Sequence, residues 1–291
     1  MKRGEGLPRA TAVLVCSVRG CGKRLGPSSD GRTFACAARH SFDVARSGYL
    51  NLLQPQDRRS RRPGDSRDAL LARRRISEAG LEPPVAAELL RELEASVSAG
   101  RVSAVLDVGC GDGSLLAALS AARPISAHGL DISVAAIELA AARRLPGAMW
   151  VVANADRGLP WADSSFDCVV SVTARRNGPE FARVLAPGGL AVVVVPAEDD
   201  LIELRGALLG AGTKKDRASS VARELAPDLE LISRTTIRSS AHLDPPVLHD
   251  LLAATYRGAR SRESARASTL PPMTVTSSRD VLIFRLPQAA S

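Results

Sequence analysis

The chain has 291 residues, 45% of them hydrophobic and 24% charged, a globular composition long enough for one large or two modest domains. That balance excludes a fully disordered or collagen-like chain, and no apolar run approaches the roughly 18 residues that a membrane-spanning helix needs. The formal charge of +8 is unevenly placed: residues 1–75 hold 17 Lys and Arg against 6 Asp and Glu, an excess of +11, whereas the remainder carries 22 against 25. A basic first quarter on a near-neutral body points to a polyanionic partner.

The N-terminus begins Met1-Lys2-Arg3, and the apolar run Ala12 to Cys16 is bounded by Pro8, Arg9 and Arg19. This is a poor secretory signal, so a cytoplasmic, non-membrane protein is expected. Cys16-x4-Cys21 and Cys36-x3-His40 offer two ligand pairs of the kind that close a tetrahedral Cys3His zinc site. Gly20 and Gly22 flank the second thiolate, and Asp30-Gly31 supplies a hairpin that returns the chain to Cys36. Four protein ligands leave no open position, so the zinc is structural. Unligated thiols are the alternative; a disulfide is disfavoured in a reducing compartment. Residues 57–75 are rich in Arg with Pro and Gly, and read as a linker that becomes helical near Asp68. Residues 84–95 repeat apolar positions at helical spacing.

From residue 103 short apolar runs alternate with helical patterns. Strands are expected at Ala104–Val108, Ala127–Leu130, Met149–Ala153, Cys168–Val172 and Leu190–Val195. Helices are expected from the glycine turn to Ala122 and over Val134–Arg144, Glu180–Leu185 and Leu201–Leu208. This is the signature of βα units on a parallel sheet. Leu229–Ile237 and Val281–Leu286, with a helix near Val247–Thr255 between them, read as an edge pair. The Arg/Ser-rich stretch 257–268 reads as mobile.

The first strand runs into Asp107-Val-Gly109-Cys-Gly111-Asp112-Gly113, where positions without side chains let the backbone approach a ligand. The spacing is not the GxGxxG that seats a pyrophosphate. It favours a cationic, amino-acid-bearing ligand over a dinucleotide. Asp131, followed by Ile132, ends the next strand, where a carboxylate can accept from a ribose diol. Asn154-Ala155-Asp156 ends the third and can meet an adenine edge.

These motifs, with Leu159-Pro-Trp161 and Leu185-Ala-Pro-Gly-Gly189, resemble the class I S-adenosylmethionine-dependent methyltransferases. The resemblance implies a Rossmann-like α/β fold whose seven-stranded sheet ends in an antiparallel edge. It also implies donor contacts from Asp107, Gly109, Gly111, Asp112, Asp131, Ile132, Asn154 and Ala155. A closer likeness is carried by Cys36-x3-His40-Ser-Phe-Asp43, Gly48-Tyr-Leu-Asn-Leu-Leu53, Arg59-Ser-Arg-Arg-Pro-Gly-Asp-Ser66, Ala72-Arg-Arg74 and Ala79-Gly80. These are similar to the 23S rRNA guanine-N1 methyltransferases, a family that includes macrolide-resistance enzymes and leaves a resistance or a housekeeping role open. The organisation so implied is a zinc-ribbon-like RNA-recognition module over 1–56, a basic linker and helix over 57–83, and a methyltransferase domain over 84–291.

The expected partner is a 23S rRNA hairpin, met by Arg58, Arg59, Arg61 and Arg62 in the linker and by Arg175 and Arg176 after the fourth strand. A homodimer is compatible with this organisation. The chain departs from the family in its x4 cysteine pair, in Leu81-Glu82 where an aromatic residue often follows Ala-Gly, in Asp200 at a position that can carry histidine, and in Arg175 where proline is usual. Asp199, Asp200 and Glu82 are positional candidates for a general base. Two other readings remain open: a small-molecule methyltransferase with a zinc lid, and an RNA-binding protein without turnover.

Overall fold

The computed structural model describes residues 12–57, 63–96, 103–209, 215–255 and 270–287. Three short strands, β1 (Leu25–Pro27), β2 (Thr33–Cys36) and β3 (Ser41–Asp43), form a small antiparallel sheet in that order. The turn at Asp30-Gly31 joins the first two. Gly31 has φ +66° and donates its N–H to the Ser28 carbonyl at 2.9 Å, while the Asp30 carboxylate accepts from the Arg32 N–H at 3.0 Å. Phe34 faces Phe42 across β2 and β3. So small an apolar complement needs a metal or a larger body to hold it.

The body is an eight-stranded sheet that contains β4 (Tyr49–Asn51), β5 (Ser103–Val108), β6 (Ile125–Asp131), β7 (Met149–Val152), β8 (Phe166–Val172), β9 (Leu185–Pro196), β10 (Glu230–Leu243) and β11 (Met273–Arg285). Their order is β10-β11-β9-β8-β5-β6-β7-β4. Strands β4 to β9 run parallel, and β11 is antiparallel to both β9 and β10. Seven strands are those the resemblance implies. The eighth, β4, comes from the Gly48-Tyr-Leu-Asn-Leu-Leu53 segment, with Leu50 opposite Val151 of β7.

Among the described residues, the helices are α1 (Arg67–Glu78), α2 (Val85–Ser96), α3 (Ser114–Ala122), α4 (Val134–Ala141), α5 (Gly178–Val184), α6 (Ile202–Leu209), α7 (Arg217–Leu225) and α8 (Pro245–Thr255). Successive strand residues point to opposite faces. Leu106, Val108, Val169 and Val193 therefore enter one core with Trp161, Phe166 and Phe181. Val105, Val170, Val192 and Val194 enter the other with Leu89, Leu116 and Ile137. Leu14, Cys16, Leu25 and Cys36 belong to the first of these cores. The N-terminal chain is also stitched to the body by backbone bonds, Val15 N–H to the Pro160 carbonyl (3.0 Å) and Ala162 N–H to the Val13 carbonyl (2.8 Å).

Two buried side chains without a chemical role illustrate the same packing. His128 on β6 meets Trp161 and Phe166 edge-on, and burial pulls its pKa down to about 4, so it is a neutral core residue. Burial pushes the Cys168 thiol up to about 12.

Several elements differ from expectation in extent. β9 starts at Leu185, because Leu185 pairs with Phe166 ahead of the glycine pair. β10 and β11 are longer than their apolar runs, because polar residues on the alternate, solvent-facing positions continue the ladder from Leu243↔Met273 to Glu230↔Arg285. α7, for which no helix was expected, buries Ala218, Val221 and Leu225 at helical spacing and is capped by Asp216 accepting from the Ser219 N–H at 3.0 Å. The stretch 257–268 lies outside the described residues.

Candidate functional site

The ligand atoms of Cys16, Cys21, Cys36 and His40 all lie within 4.8 Å of one another. Cys21 and Cys36 sulfurs are 3.8 Å apart, and His40 Nδ1 is 3.4 Å from the Cys16 sulfur and 3.6 Å from that of Cys36. A tetrahedral zinc with thiolate bonds of about 2.3 Å places its sulfurs about 3.8 Å apart, so the donor set and spacing fit that ion. The backbone shows how four intervening residues are accommodated. Gly20 and Gly22 take left-handed φ of +75° and +57°, and the Cys21 N–H donates to the Val18 carbonyl at 2.9 Å. The second pair closes through Cys36 N–H to the His40 carbonyl (3.0 Å), with Arg39 left-handed between them.

The second constellation sits at the carboxyl ends of the parallel strands. β5 is flanked by β6 on one side and β8 on the other, which makes its end the topological switch point where open α/β sheets take ligands. Asp107 there is buried, and its Oδ1 has no hydrogen-bond partner. Burial, and secondarily the charge of Asp131, push its pKa up to about 7. Once ionised, a buried carboxylate of this kind is stabilised by a nearby cation. Asp131 is also raised by burial, but it is held by N–H groups of Ser133 (2.8 Å) and Gly111 (3.0 Å), and each oxygen retains a lone pair for a further donor.

The three glycines of the loop have left-handed φ for different reasons. A Cβ on Gly109 would stand 2.3 Å from that of Ala174, and one on Gly113 would stand 2.6 Å from the Trp150 ring. At Gly111 (φ +55°) the nearest atom is Leu70 Cδ2, at 3.9 Å. A Cβ at Gly111 would thus make only one ordinary van der Waals contact, so this side of the loop is a cradle with room for a bound group. Asp112 is differently employed. Burial opposes its ionisation, but Arg74 (2.7 Å) and Arg143 (2.5 Å) outweigh this and hold its carboxyl below the usual range. Asp112 therefore ties α1 to the loop. Ile132 packs partly buried against the second core.

Asn154 accepts from the Asp156 N–H (3.0 Å) and donates to the Asp57 carbonyl (2.9 Å), and the buried Ala155 gives its carbonyl to Asn177 (2.9 Å). Asn177 also caps α5. Arg176 reaches Glu224 at 3.1 Å, whereas Arg175 is 74% exposed and only 3.9 Å at closest from Asp156. Arg58, Arg59, Arg61 and Arg62 lie outside the described residues. The chain on either side of them is anchored over the strand ends, by Asp57 on Asn154 and by the Asp65 carbonyl, which accepts from Ser133 Oγ at 2.7 Å. These two anchors were not legible from spacing, since a backbone carbonyl carries no sequence signal.

On the loop after β9, Asp200 is engaged by Arg279 and by the Ser278 N–H (2.9 Å), and Asp199 by Arg238 at 3.0 Å. Glu82 is exposed. Neighbouring Glu198, which the sequence did not single out, is half-buried.

Residues 105–189 match the methyltransferase domain family, and residues 21–61 match the zinc-ribbon family described as RlmA, N-terminal. The 23S rRNA (guanine(748)-N(1))-methyltransferase of Streptomyces fradiae is 35% identical over 78% of this chain and 79% of its own length. A protein of Micromonospora griseorubida, described as a candidate 23S rRNA (guanine-N1)-methyltransferase, is 34% identical over 94% of this chain and 97% of its own. The Bacillus subtilis protein YxjB, described in the same terms, is 32% identical over 88% and 92%. No helix among the described residues is long and apolar enough to cross a membrane.

Proposed function

Since the chain belongs to the 23S rRNA (guanine-N1)-methyltransferase family, we propose that it transfers one methyl group from S-adenosylmethionine to N1 of a guanine in a 23S rRNA hairpin. S-adenosylmethionine, when bound, supplies an electrophilic methyl group on a sulfonium carrying an amino-acid ammonium. The observation that best supports its seat is the buried Asp107 Oδ1, which has no hydrogen-bond partner, on the same loop as the uncrowded Gly111. Asp107 offers the buried negative charge for the cationic end, and Gly111 leaves room for it. Asp131 retains acceptor capacity for a ribose diol, with Ile132 beside it. Asn154 has one N–H and one lone pair to spare for an adenine edge, with Ala155 lining the same strand end. Asp112 acts by fixing the loop to α1.

The reaction is an in-line displacement, so the work of the protein is alignment and exclusion of water. Asp57 and Asp65, anchored on Asn154 and Ser133 at the strand ends, serve that exclusion. The target guanine must leave its stack, because N1 lies on the pairing edge. Arg175, exposed at the rim, is the side chain best placed to meet a phosphate; Arg176 and Asn177 are already engaged in holding the loop. Of the carboxylates near β9, Asp199 and Asp200 are committed to Arg238 and Arg279. That makes Glu198 the better candidate to accept the N1 proton.

Zinc, held by Cys16, Cys21, Cys36 and His40, contributes structure. The reading of the module as a lid for a small-molecule enzyme has little support, because β4 is part of the main sheet and Leu14 and Cys16 share its core. The test is incubation with methyl-labelled donor and 23S rRNA, followed by nucleoside analysis. Label in 1-methylguanosine supports the reading; tight RNA binding without label favours a binder that does not turn over, and label only in small molecules favours the lid.

A further inference from the structure

A cleft of about 480 Å³ opens between the first metal knuckle and the turn after β7. Its walls include the apolar Val18, Leu53 and Pro160 and the zinc ligands Cys16 and Cys21, so the metal takes part of this volume; its polar lining includes Asn154, Asp57 and two exposed arginines, Arg19 and Arg157. None of Asp107, Gly109, Gly111, Asp131, Ile132 or Ala155 lines it. Of the residues assigned to the donor seat only Asn154 lines it, so the cleft adjoins that seat at one residue and extends from there to the zinc module.

Three properties together define what this cleft can take. Its volume falls within the range of small-molecule sites and suits a single nucleotide, whereas a paired helix cannot enter. Apolar walls with an amide beside them suit the flat face and polar edge of a base. The arginines match a phosphate: Arg19 makes no ion pair among the described residues, and Arg157 has only an exposed contact of 3.6 Å to Asp57, of the kind that contributes little. We propose that this cleft is a second nucleotide subsite, which captures an unpaired base of the substrate loop other than the target guanine. The inference rests on the RNA reading above. Its mechanistic consequence is register: a base held between the zinc module and the sheet offsets part of the unstacking cost and fixes which guanine reaches the donor.

The experiment uses the full, zinc-loaded chain and a 23S rRNA hairpin carrying single abasic substitutions at each loop position other than the target. For the unaltered chain, removal of one particular base is expected to weaken binding about tenfold, the scale of a base-stacking contact. Val18→Trp, which fills the cleft, is expected to weaken binding of the intact hairpin by a similar factor and to abolish the extra effect of that abasic position, with zinc content and donor affinity unchanged. An intact-hairpin affinity equal to that of the unaltered chain, or an abasic penalty that persists in the variant, overturns the subsite. Loss of donor affinity in the variant overturns it too, by making the cleft part of the donor seat. If Val18→Trp loses zinc, the pair Arg19→Gln and Arg157→Gln decides. It should flatten the log–log salt dependence of binding by about 1 unit, at about 0.7 per phosphate contact, and an unaltered slope overturns the proposal. If the unaltered chain neither binds nor methylates any hairpin, the RNA reading itself fails, an outcome distinct from those above.

Discussion

Asp107→Asn isolates the group whose buried charge is hardest to explain without a bound cation. In the folded chain the Asp107 carboxyl is pushed from its ordinary 3.8 up to about 7. A difference of about 3 pH units, at about 1.4 kcal/mol each, corresponds to about 4 kcal/mol. The folded state holds this proton between about pH 4 and pH 7 while the unfolded chain has released it, so stability falls as pH rises through that window. The cost is absent below about pH 4 and complete above about pH 7. Asparagine carries no charge at either end. In urea unfolding of the donor-free protein, Asp107→Asn is therefore expected to gain stability relative to the unaltered chain as pH rises, reaching about 4 kcal/mol near pH 8. Donor binding should move the other way: the variant binds S-adenosylmethionine more weakly, and the unaltered chain binds it more tightly as pH rises through 7, with proton release. A stability difference that does not change with pH, together with unchanged donor affinity, would refute the role given to this carboxylate.

Cys36→Ser should lower bound zinc well below one per chain, as measured by elemental analysis, and loosen residues 12–45 to proteolysis; full metal content would remove Cys36 from the ligand set. Gly111→Val should abolish donor binding in calorimetry while leaving a folded protein, whereas Gly113→Val should destabilise the fold, because a Cβ there meets the Trp150 ring at 2.6 Å. Equal donor affinity for Gly111→Val and the unaltered chain would empty the cradle of its purpose. Asp131→Ala should weaken the donor by about 1.5–3 kcal/mol, the scale of a hydrogen bond to a charged group. Replacing Arg58, Arg59, Arg61 and Arg62 with Gln should flatten the log–log salt dependence of RNA binding by up to about 3 units; an unaltered slope would place the phosphates elsewhere.

The parts of the structure legible in the sequence are those that physics marks locally. The cysteine and histidine pairs, the glycine turn after β5 and the carboxylate ending β6 each announce themselves by residue type and spacing, and the structure brings each set together. What was not legible depends on tertiary contact. The Gly48-Tyr-Leu-Asn-Leu-Leu53 motif is distinctive as a string, but a three-residue strand has no periodicity to reveal that it extends a sheet 100 residues away in sequence. Asp112 looks like a ligand contact because it lies in the glycine loop, yet Arg74 and Arg143, remote in sequence, engage it. Arg176 and Asn177 likewise are ordinary loop residues until Glu224 and the Ala155 carbonyl are seen beside them. β10 and β11 were foreshortened because Ser, Thr and Arg on a solvent-facing edge carry little apolar signal.

The atom that receives the methyl group is the most direct test of the reaction. The purified, zinc-loaded chain should be incubated with S-adenosylmethionine and 23S rRNA lacking the modification, then the product read by primer extension and by nucleoside mass analysis. A methyl group on N1 removes the donor of the Watson–Crick edge and adds bulk, so reverse transcriptase should stop one nucleotide before a single guanine in a hairpin, and a 1-methylguanosine peak should appear. A transcript free of stops, with the methyl group instead on guanine N7, N2 or a ribose 2′-oxygen, would contradict the assignment of the acceptor even with the donor and the RNA correctly named.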